Sequence, residues 1–344
     1  ILRFSTDQNT AVKDFTTAFW MAYQDGKPVG RIAGIINPNF MDKWGKRFAR
    51  FGWMDFTNHF DVARALTETV ENWAMEQGMD ALNGPLGFTD FDPEGLLVEG
   101  FHEKATIIER YNHAYYGEYL ETLGYTKDAD WVEFEVKVPP ALPEKIGEVA
   151  RFVSKRYGFT VIRIHRIEDI MPYVSKIFDT INNIYGLMYG FVPITPETSR
   201  FYISKYIRFL DPSLIALITD SNDRLIAFGV AMPNFSDVFR KAKGSLFRLK
   251  LLMLKGEHRK TDTVDMYFIG VKPELINKGI SSVLLYEVGQ RIIEQGYRKA
   301  ETNIEYESNE AVQSLWKHFD SRQHKRRRCY LKYFLTSTRT EDNI

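Results

Sequence analysis

The chain has 344 residues, 44% of them hydrophobic, and its 45 basic side chains are balanced by 45 acidic ones. It has the apolar content of packed globular domains, two by length, and no overall field to draw in DNA, so any polyanion site has to be local. A single cysteine, Cys329, excludes an internal disulfide framework, and no apolar run approaches the ~20 residues that cross a bilayer, so a cytoplasmic protein without a transmembrane segment is expected.

Ile1-Leu2-Arg3 is not a signal peptide, and the missing initiator Met suggests numbering that starts inside a longer chain. In chain order, "AFWMAYQ" and "PVGRIAGII" flank Asp25-Gly26-Lys27 and predict a β-hairpin. "ALTETVENWAMEQG" has helical spacing and ends at Gly78, the expected C-terminal punctuation. The stretch "GPLGFTDFDPEGLLVEGF" after it is long and rich in Gly, Phe and Asp; with Phe88 and Phe91 it is the candidate wall for a substrate. "YNHAYYGEYLETLGY" then sets Tyr115, Tyr116 and Tyr119 around one short helix, either as packing between halves or as a ligand pocket. "WVEFEVKV" reads as a closing strand, and the prolines of 139–143 as a linker.

Much of this recurs. "GIINPNF" (Gly34–Phe40) matches "GVAMPNF" (Gly229–Phe235), "ENWAMEQGMDAL" matches "GQRIIEQGYRKA", and "NHAYYGEYLETLGY" matches "NEAVQSLWKHF". The expected organisation is a first half over 1–138, a linker over 139–143 and a second half over 144–344, with any first strand of the first half upstream of Ile1. The second half carries an extra segment, "RKAKGSLFRLKLLMLKGEHRK", which fits an interfacial membrane helix, a lid or packing on its own domain.

In the second half "GVKPELINKGISSVLLYEV" runs strand, turn and helix, with Gly279 at the turn, which is the recipe for an anion seat on helix N-terminal amides. "VKPELINKGISSVLL" resembles the acetyl-CoA loop of the GCN5-related N-acetyltransferases, where a strand ends in V-x-P and a Q/R-x-x-G-x-G/A segment wraps the CoA pyrophosphate. The resemblance implies two tandem α/β folds, each a mixed, mostly antiparallel sheet flanked by helices, and the whole chain looks like bacterial double-acetyltransferase-fold proteins. It implies acetyl-CoA or another acyl-CoA as co-substrate and a small-molecule or peptide amine as acceptor. Val271 would pair with the pantetheine arm, and the amides of Asn277, Lys278, Gly279, Ile280, Ser281 and Ser282 would face the pyrophosphate. Asn309 takes the place of the family's cofactor-binding Asn. Three positions depart from the pattern: Ile276 replaces Gln or Arg, Ser281 the last Gly or Ala, and Trp316, a further cofactor contact, the tyrosine that often serves as general acid. The first half has "TNHFDVARAL" at the matching turn, without Gly, and reads as a degenerate copy.

Two alternating strands, "ETNIEYE" and the one holding Asp265 and Tyr267, offer Glu305 and Asp265 as catalytic bases or as plain sheet surface. "HKRRR" (His324–Arg328) reads as a solvated turn or a contact for a phosphate-rich partner. Seven histidines without paired ligand spacing give no reason to expect a metal. The resulting expectation is an N-acyltransferase working on an amine. A binding or scaffold protein that has lost its chemistry, and a transferase using aminoacyl-tRNA with Arg326–Arg328 on RNA, are the alternatives.

Overall fold

The structure is a computed structural model that describes residues 15–334, so the outer ends of the two expected halves, 1–14 and 335–344, lie outside the described residues, as does the side chain of Asn277. The first half contains β1 (Thr16–Gln24), β2 (Lys27–Ile36), α1 (Pro38–Trp44), β3 (Phe48–Phe56), α2 (Phe60–Glu76), β4 (Ala81–Gly84), β5 (Leu96–Glu99), α3 (Tyr115–Thr122) and β6 (Thr126–Lys137). The second begins with α4 (Glu144–Tyr157), β7 (Thr160–Arg163), α5 (Val174–Tyr185), α6 (Pro196–Tyr206), β8 (Ile215–Thr219) and β9 (Leu225–Pro233). It continues with α7 (Ser236–Ala242), α8 (Leu246–Leu254), β10 (Thr263–Val271), α9 (Ile280–Glu294), β11 (Lys299–Thr302), β12 (Glu305–Tyr306), α10 (Glu310–Trp316) and β13 (Ser321–Tyr333).

Local chemistry accounts for most of these elements. Asp25 and Gly26 take positive φ angles of 51° and 73° and turn β1 tightly into β2, while the Asp220 carboxylate accepts from the Asn222 and Arg224 amides to close β8 onto β9. Helix α2 buries Ala63, Leu66, Val70 and Ala74, one stripe at helical spacing. Gly34 is obligatory beneath it, because a Cβ there would lie 2.6 Å from the Trp73 ring. Helix α9 buries Val283, Leu284, Val288 and Ile292 in the second core, which it shares with α4.

One continuous sheet runs through both halves in the order β1-β2-β3-β4-β13-β6-β11-β10-β9-β8-β7. The closing strands are exchanged: β6, from the first half, lies between β11 and β13, while β13, from the second, pairs with β4 through Tyr330↔Gly84 to Tyr333↔Ala81. The long β6–β13 ladder, from Ser321↔Val136 to Leu331↔Thr126, is the seam of the molecule.

That seam corrects the reading of "HKRRR" as a turn or an exposed patch. His324–Arg328 lie inside β13, with Lys325 and Arg327 1% and 0% exposed on their side chains and paired with Glu133, Glu301 and Glu109. Alternate residues of this strand face a covered sheet surface, so the basic side chains are consumed by carboxylates of β6 and β11. Arg326 and Arg328 point the other way and meet Glu99, Asp130 and Glu307. The local argument for an RNA contact falls with this geometry. In the added segment, α8 keeps no buried residue, and Leu246, Phe247 and Leu254 stand in solvent. No helix among the described residues is long and apolar enough to cross a membrane.

Candidate active site

Strands β10 and β11 run parallel from Thr263↔Lys299 to Met266↔Thr302 and then part. A bulge at Tyr267 on β10 bends that strand, and Asn303 ends the pairing with its amide 3.1 Å from the Met266 carbonyl and its Nδ2 3.2 Å from that of Tyr267. Beyond Asn303 the Phe268–Val271 edge of β10 faces a cavity, and the Tyr185 hydroxyl donates to the Ile269 carbonyl across it at 3.3 Å.

After Val271 the chain makes a tight 3-10 turn over Pro273–Lys278 and enters α9 through Gly279 at φ 75°. A side chain at Gly279 would also place its Cβ 3.0 Å from Val153 Cγ2 on α4. The first amides of a helix lack partners within it, and although the Ser282 amide already donates to the Gly279 carbonyl at 3.1 Å, this end of α9 presents a positive dipole where Gly279, Ser281 and Ser282 line the cavity.

The cavity holds about 440 Å³ and is lined by the parted strands, the start of α9 and α10. Its far wall comes from the first half: Asp90, Phe91, Glu94 and Glu109, carried on the long connection around β5. A narrower, wholly apolar pocket of about 100 Å³ beneath α5 and α6 shares Phe91, Ile181, Tyr267 and Phe268 with it.

Carboxyls in this cavity are held in unusual states. Burial pushes Glu305 up to about 7, against hydrogen bonds from Trp316 and Thr302 that favour its ionised form. Trp316 Nε1 donates to Glu305 Oε1 at 2.8 Å, and Glu305 Oε2 is buried with no hydrogen-bond partner among the described residues. Burial likewise raises Glu109 to about 7, and it raises Asp90 and Glu94, which hydrogen-bond each other. Deeper under the sheet, Asp265 is raised to about 7 by burial and by neighbouring Glu301, while its Oδ1 accepts from Asn234 Nδ2 at 2.7 Å.

Beside Asp265, Glu133, Glu301 and His324 bring one ligand atom each within 4.8 Å of one another. Lys325 Nζ already sits between the two carboxylates, 2.7 Å from Glu133 Oε2 and bonded to Glu301 Oε1, so the cluster contains its own cation. Burial lowers His324 to about 4, which keeps the imidazole neutral.

The residues singled out in the sequence divide by position. Val271, Gly279, Ser281, Ser282, Asn309, Glu305, Trp316 and Phe91 line the large cavity. Ile280 is fully buried in the core and can offer only backbone, Lys278 is exposed with its ammonium 5.6 Å above the Tyr157 ring, and Ile276 lines the rim. Asn309 caps α10 by accepting from the Val312 amide. Asp265 lies below the fork, outside the cavity wall, hemmed in by Glu301. Phe88 packs against Trp53 and Phe15 in a separate small core.

Tyr116 and Tyr119 stack on Phe56 at the end of β3, the first-half counterpart of β10, and Tyr115 meets the same ring edge-on. Tyr116 accepts from the Phe56 amide and donates to Asp55 Oδ1 at 2.7 Å, and it borders a smaller cavity of about 270 Å³ with Arg31 and Trp53. A bulge at Trp53 and Met54 mirrors that of Tyr267, so both copies fork their sheets in the same place. In the first half, tyrosine rings stand beside the fork.

No protein-family profile matches the chain. Protein YghO of Escherichia coli strain K12 is 27% identical over 326 residues, spanning 91% of this chain and 81% of that protein. A solved tandem GNAT protein from the clavulanic acid biosynthesis pathway, 9% identical, superposes over 93% of this chain and 83% of its own with a TM-score of 0.53. A GCN5-related glucosamine N-acetyltransferase region of a fungal multi-domain β-N-acetylglucosaminidase, 13% identical, covers 95% of this chain and 34% of that one with a TM-score of 0.56. The chain has the tandem GCN5-related N-acetyltransferase fold. The fold expected from "VKPELINKGISSVLL" is thus the fold present, and in the second copy of the GNAT fold the forked strands, glycine turn and helix start enclose one cavity.

Sequence reasoning missed Asp90, Glu94, Glu109 and Tyr185, which line the same cavity as Glu305. The unusual length of the 84–101 stretch marked the region of the first two, but nothing local ties it to a strand more than 200 positions later.

Proposed function

We propose that the second half binds an acyl-CoA and transfers its acyl group to an amine. The carrying observation is a single cavity that joins the amide-rich start of α9 to a buried carboxylate, Glu305, with one oxygen unpartnered. The Phe268–Val271 edge would pair with the pantetheine arm, and the Gly279 turn, with Lys278 beside it, would hold the pyrophosphate. Ile276 offers no charged hydrogen bond there, which costs about 1–2 kcal/mol of affinity, so the backbone carries most of the binding.

Glu305 takes a proton from the acceptor ammonium; the neutral nitrogen attacks the thioester carbonyl. The C–N bond forms, the C–S bond breaks, and the second proton lost from nitrogen reaches the thiolate through water, because the Trp316 indole has no proton of useful acidity. Calorimetric titration with acetyl-CoA, followed by thiol release in the presence of amines, tests this reading. Binding abolished by Lys278→Glu with Gly279→Asp is expected; absence of heat with the unaltered protein at high micromolar concentration removes the proposal.

Trp316 favours a second reading. Its indole occupies one oxygen of Glu305, and a protein that binds acyl-CoA without turning it over would act as a sensor or scaffold. Binding without thiol release from any amine across pH 6 to 9 identifies that case.

A further inference from the structure

The far wall of the cavity gathers three buried carboxyls, Asp90, Glu94 and Glu109. Asp90 and Glu94 hydrogen-bond each other, and Glu109, 6% exposed, accepts from the Glu94 backbone. Glu109 Oε2 has no hydrogen-bond donor among the described residues although it is buried. The cation nearest it is Arg327, whose Nε lies 3.7 Å away but only 2.9 Å from Glu133 Oε1. Arg327 Nη1 donates to the Arg110 carbonyl at 2.8 Å, and its Nη2 is buried with no hydrogen-bond partner among the described residues. Arg50 is the cation that acts on both Asp90 and Glu94, yet its Nη2 bonds the Gly190 carbonyl at 3.0 Å and its Nη1 reaches that of Gly87 at 3.4 Å. Lys43 also feels Asp90, while its ammonium donates to the Phe191 carbonyl at 2.9 Å. Lys325 serves Glu133 and Glu301.

Aromatic side chains face the same space. Trp131, Tyr185, Tyr306 and Phe268 line the cavity, and the rings of Trp131 and Tyr306 lie 5.4 Å apart. Tyr306 follows Glu305 in sequence and stands within electrostatic reach of Glu94 and Asp90, so the acidic wall and Glu305 line one cavity. Carboxylates and ring faces around a desolvated space are the surroundings that hold an ammonium ion.

We propose that Asp90, Glu94 and Glu109 seat a second positive charge on the acceptor, so that the substrate is a diamine or a larger amino compound whose remote ammonium lies among them while its reacting amine meets Glu305. The inference rests on the acyl-transfer reading for the second part of that statement, whereas the cation seat stands on the wall alone. Neutral, monocationic and anionic amines bring no second ammonium to the wall and bind less well. An arriving ammonium takes over the stabilisation that shared protons now supply, so the seat releases protons when it fills.

Calorimetry with 1,4-diaminobutane and n-butylamine at pH 8 tests the seat. The diamine is expected to bind at least tenfold more tightly, with an apparent enthalpy that changes with the ionisation heat of the buffer. Glu109→Gln and Glu94→Gln, each checked by its melting temperature, are expected to lower diamine affinity tenfold or more and to shrink that buffer dependence. Equal affinity for the two amines, or full diamine affinity in a Gln variant that melts like the unaltered protein, overturns the proposal. Acetyl-CoA titrations on the same preparations separate the two claims. Diamine bound without acetyl-CoA keeps the seat and removes acyl transfer; acetyl-CoA bound without preference for the diamine keeps acyl transfer and removes the seat.

Discussion

The indole Nε1 of Trp316 lies 2.8 Å from Oε1 of Glu305, so this indole donates to the candidate base itself. A hydrogen bond to a carboxylate favours its ionised form and restrains the upward push of burial. Turnover is therefore expected to rise with pH through about 7, as Glu305 loses its proton. Trp316→Phe removes the donor and moves that limb to higher pH. Glu305→Gln eliminates the limb and lowers kcat by about 10²- to 10⁴-fold, the range for loss of a general base. Thiol release followed from pH 5.5 to 9 measures both.

At the other end of the cavity, Gly279→Ala meets two obstacles: a φ of 75° and a Cβ 3.0 Å from Val153 Cγ2. A strained left-handed residue costs about 1–3 kcal/mol. Urea unfolding reads that loss directly. Lys278→Glu leaves packing alone, since the side chain is exposed, and reverses one charge beside the proposed pyrophosphate seat. It is expected to weaken acetyl-CoA about tenfold, less at high salt, by calorimetry.

Lys325 is the buried counter-ion of Glu133 and Glu301 across the central seam. Lys325→Met strands Glu301 under the sheet and leaves Glu133 with Arg327 alone, and breaking a buried pair on one side costs about 3–5 kcal/mol. A denaturant midpoint unchanged at pH 7 would contradict this account of the seam.

Asp265 gives a pH dependence of the opposite kind to a salt-bridged carboxylate. Its proton is held more tightly folded, up to about 7, than unfolded. Its contribution is therefore full below about pH 4 and is lost as pH rises toward 7. Asp265→Asn has no proton to lose and still accepts from Asn234. Its stability relative to the unaltered protein is expected to grow by up to about 1.4 kcal/mol per pH unit across that interval, measured by urea unfolding.

Cleavage within 139–143 leaves β6 inserted between β11 and β13, and β13 bound to β4. The two pieces are expected to stay together through size-exclusion chromatography and to separate only in denaturant. Residues 144–344 produced alone lack the strand that fills the gap and are expected to aggregate through the open edges of β11 and β13.

The hairpins, the stripe of α2, the glycine turn before α9 and the internal repeat could all be read from spacing alone, because each is set by interactions within about twenty residues. Period-2 alternation marked "WVEFEVKV" as a strand and the turn chemistry of Asp25-Gly26 marked a hairpin. The partners of β6 and β13 were decided only by the tertiary structure. An alternating strand presents the same pattern whichever sheet receives it, and the choice turns on the opposition of Lys325 to Glu133 across the seam, 192 positions apart. The same exchange turned a basic run into buried counter-ions. It also set the Asp90–Glu109 stretch of the first half against the fork of the second, since burial and ion pairing act through space and leave no periodic trace along the chain.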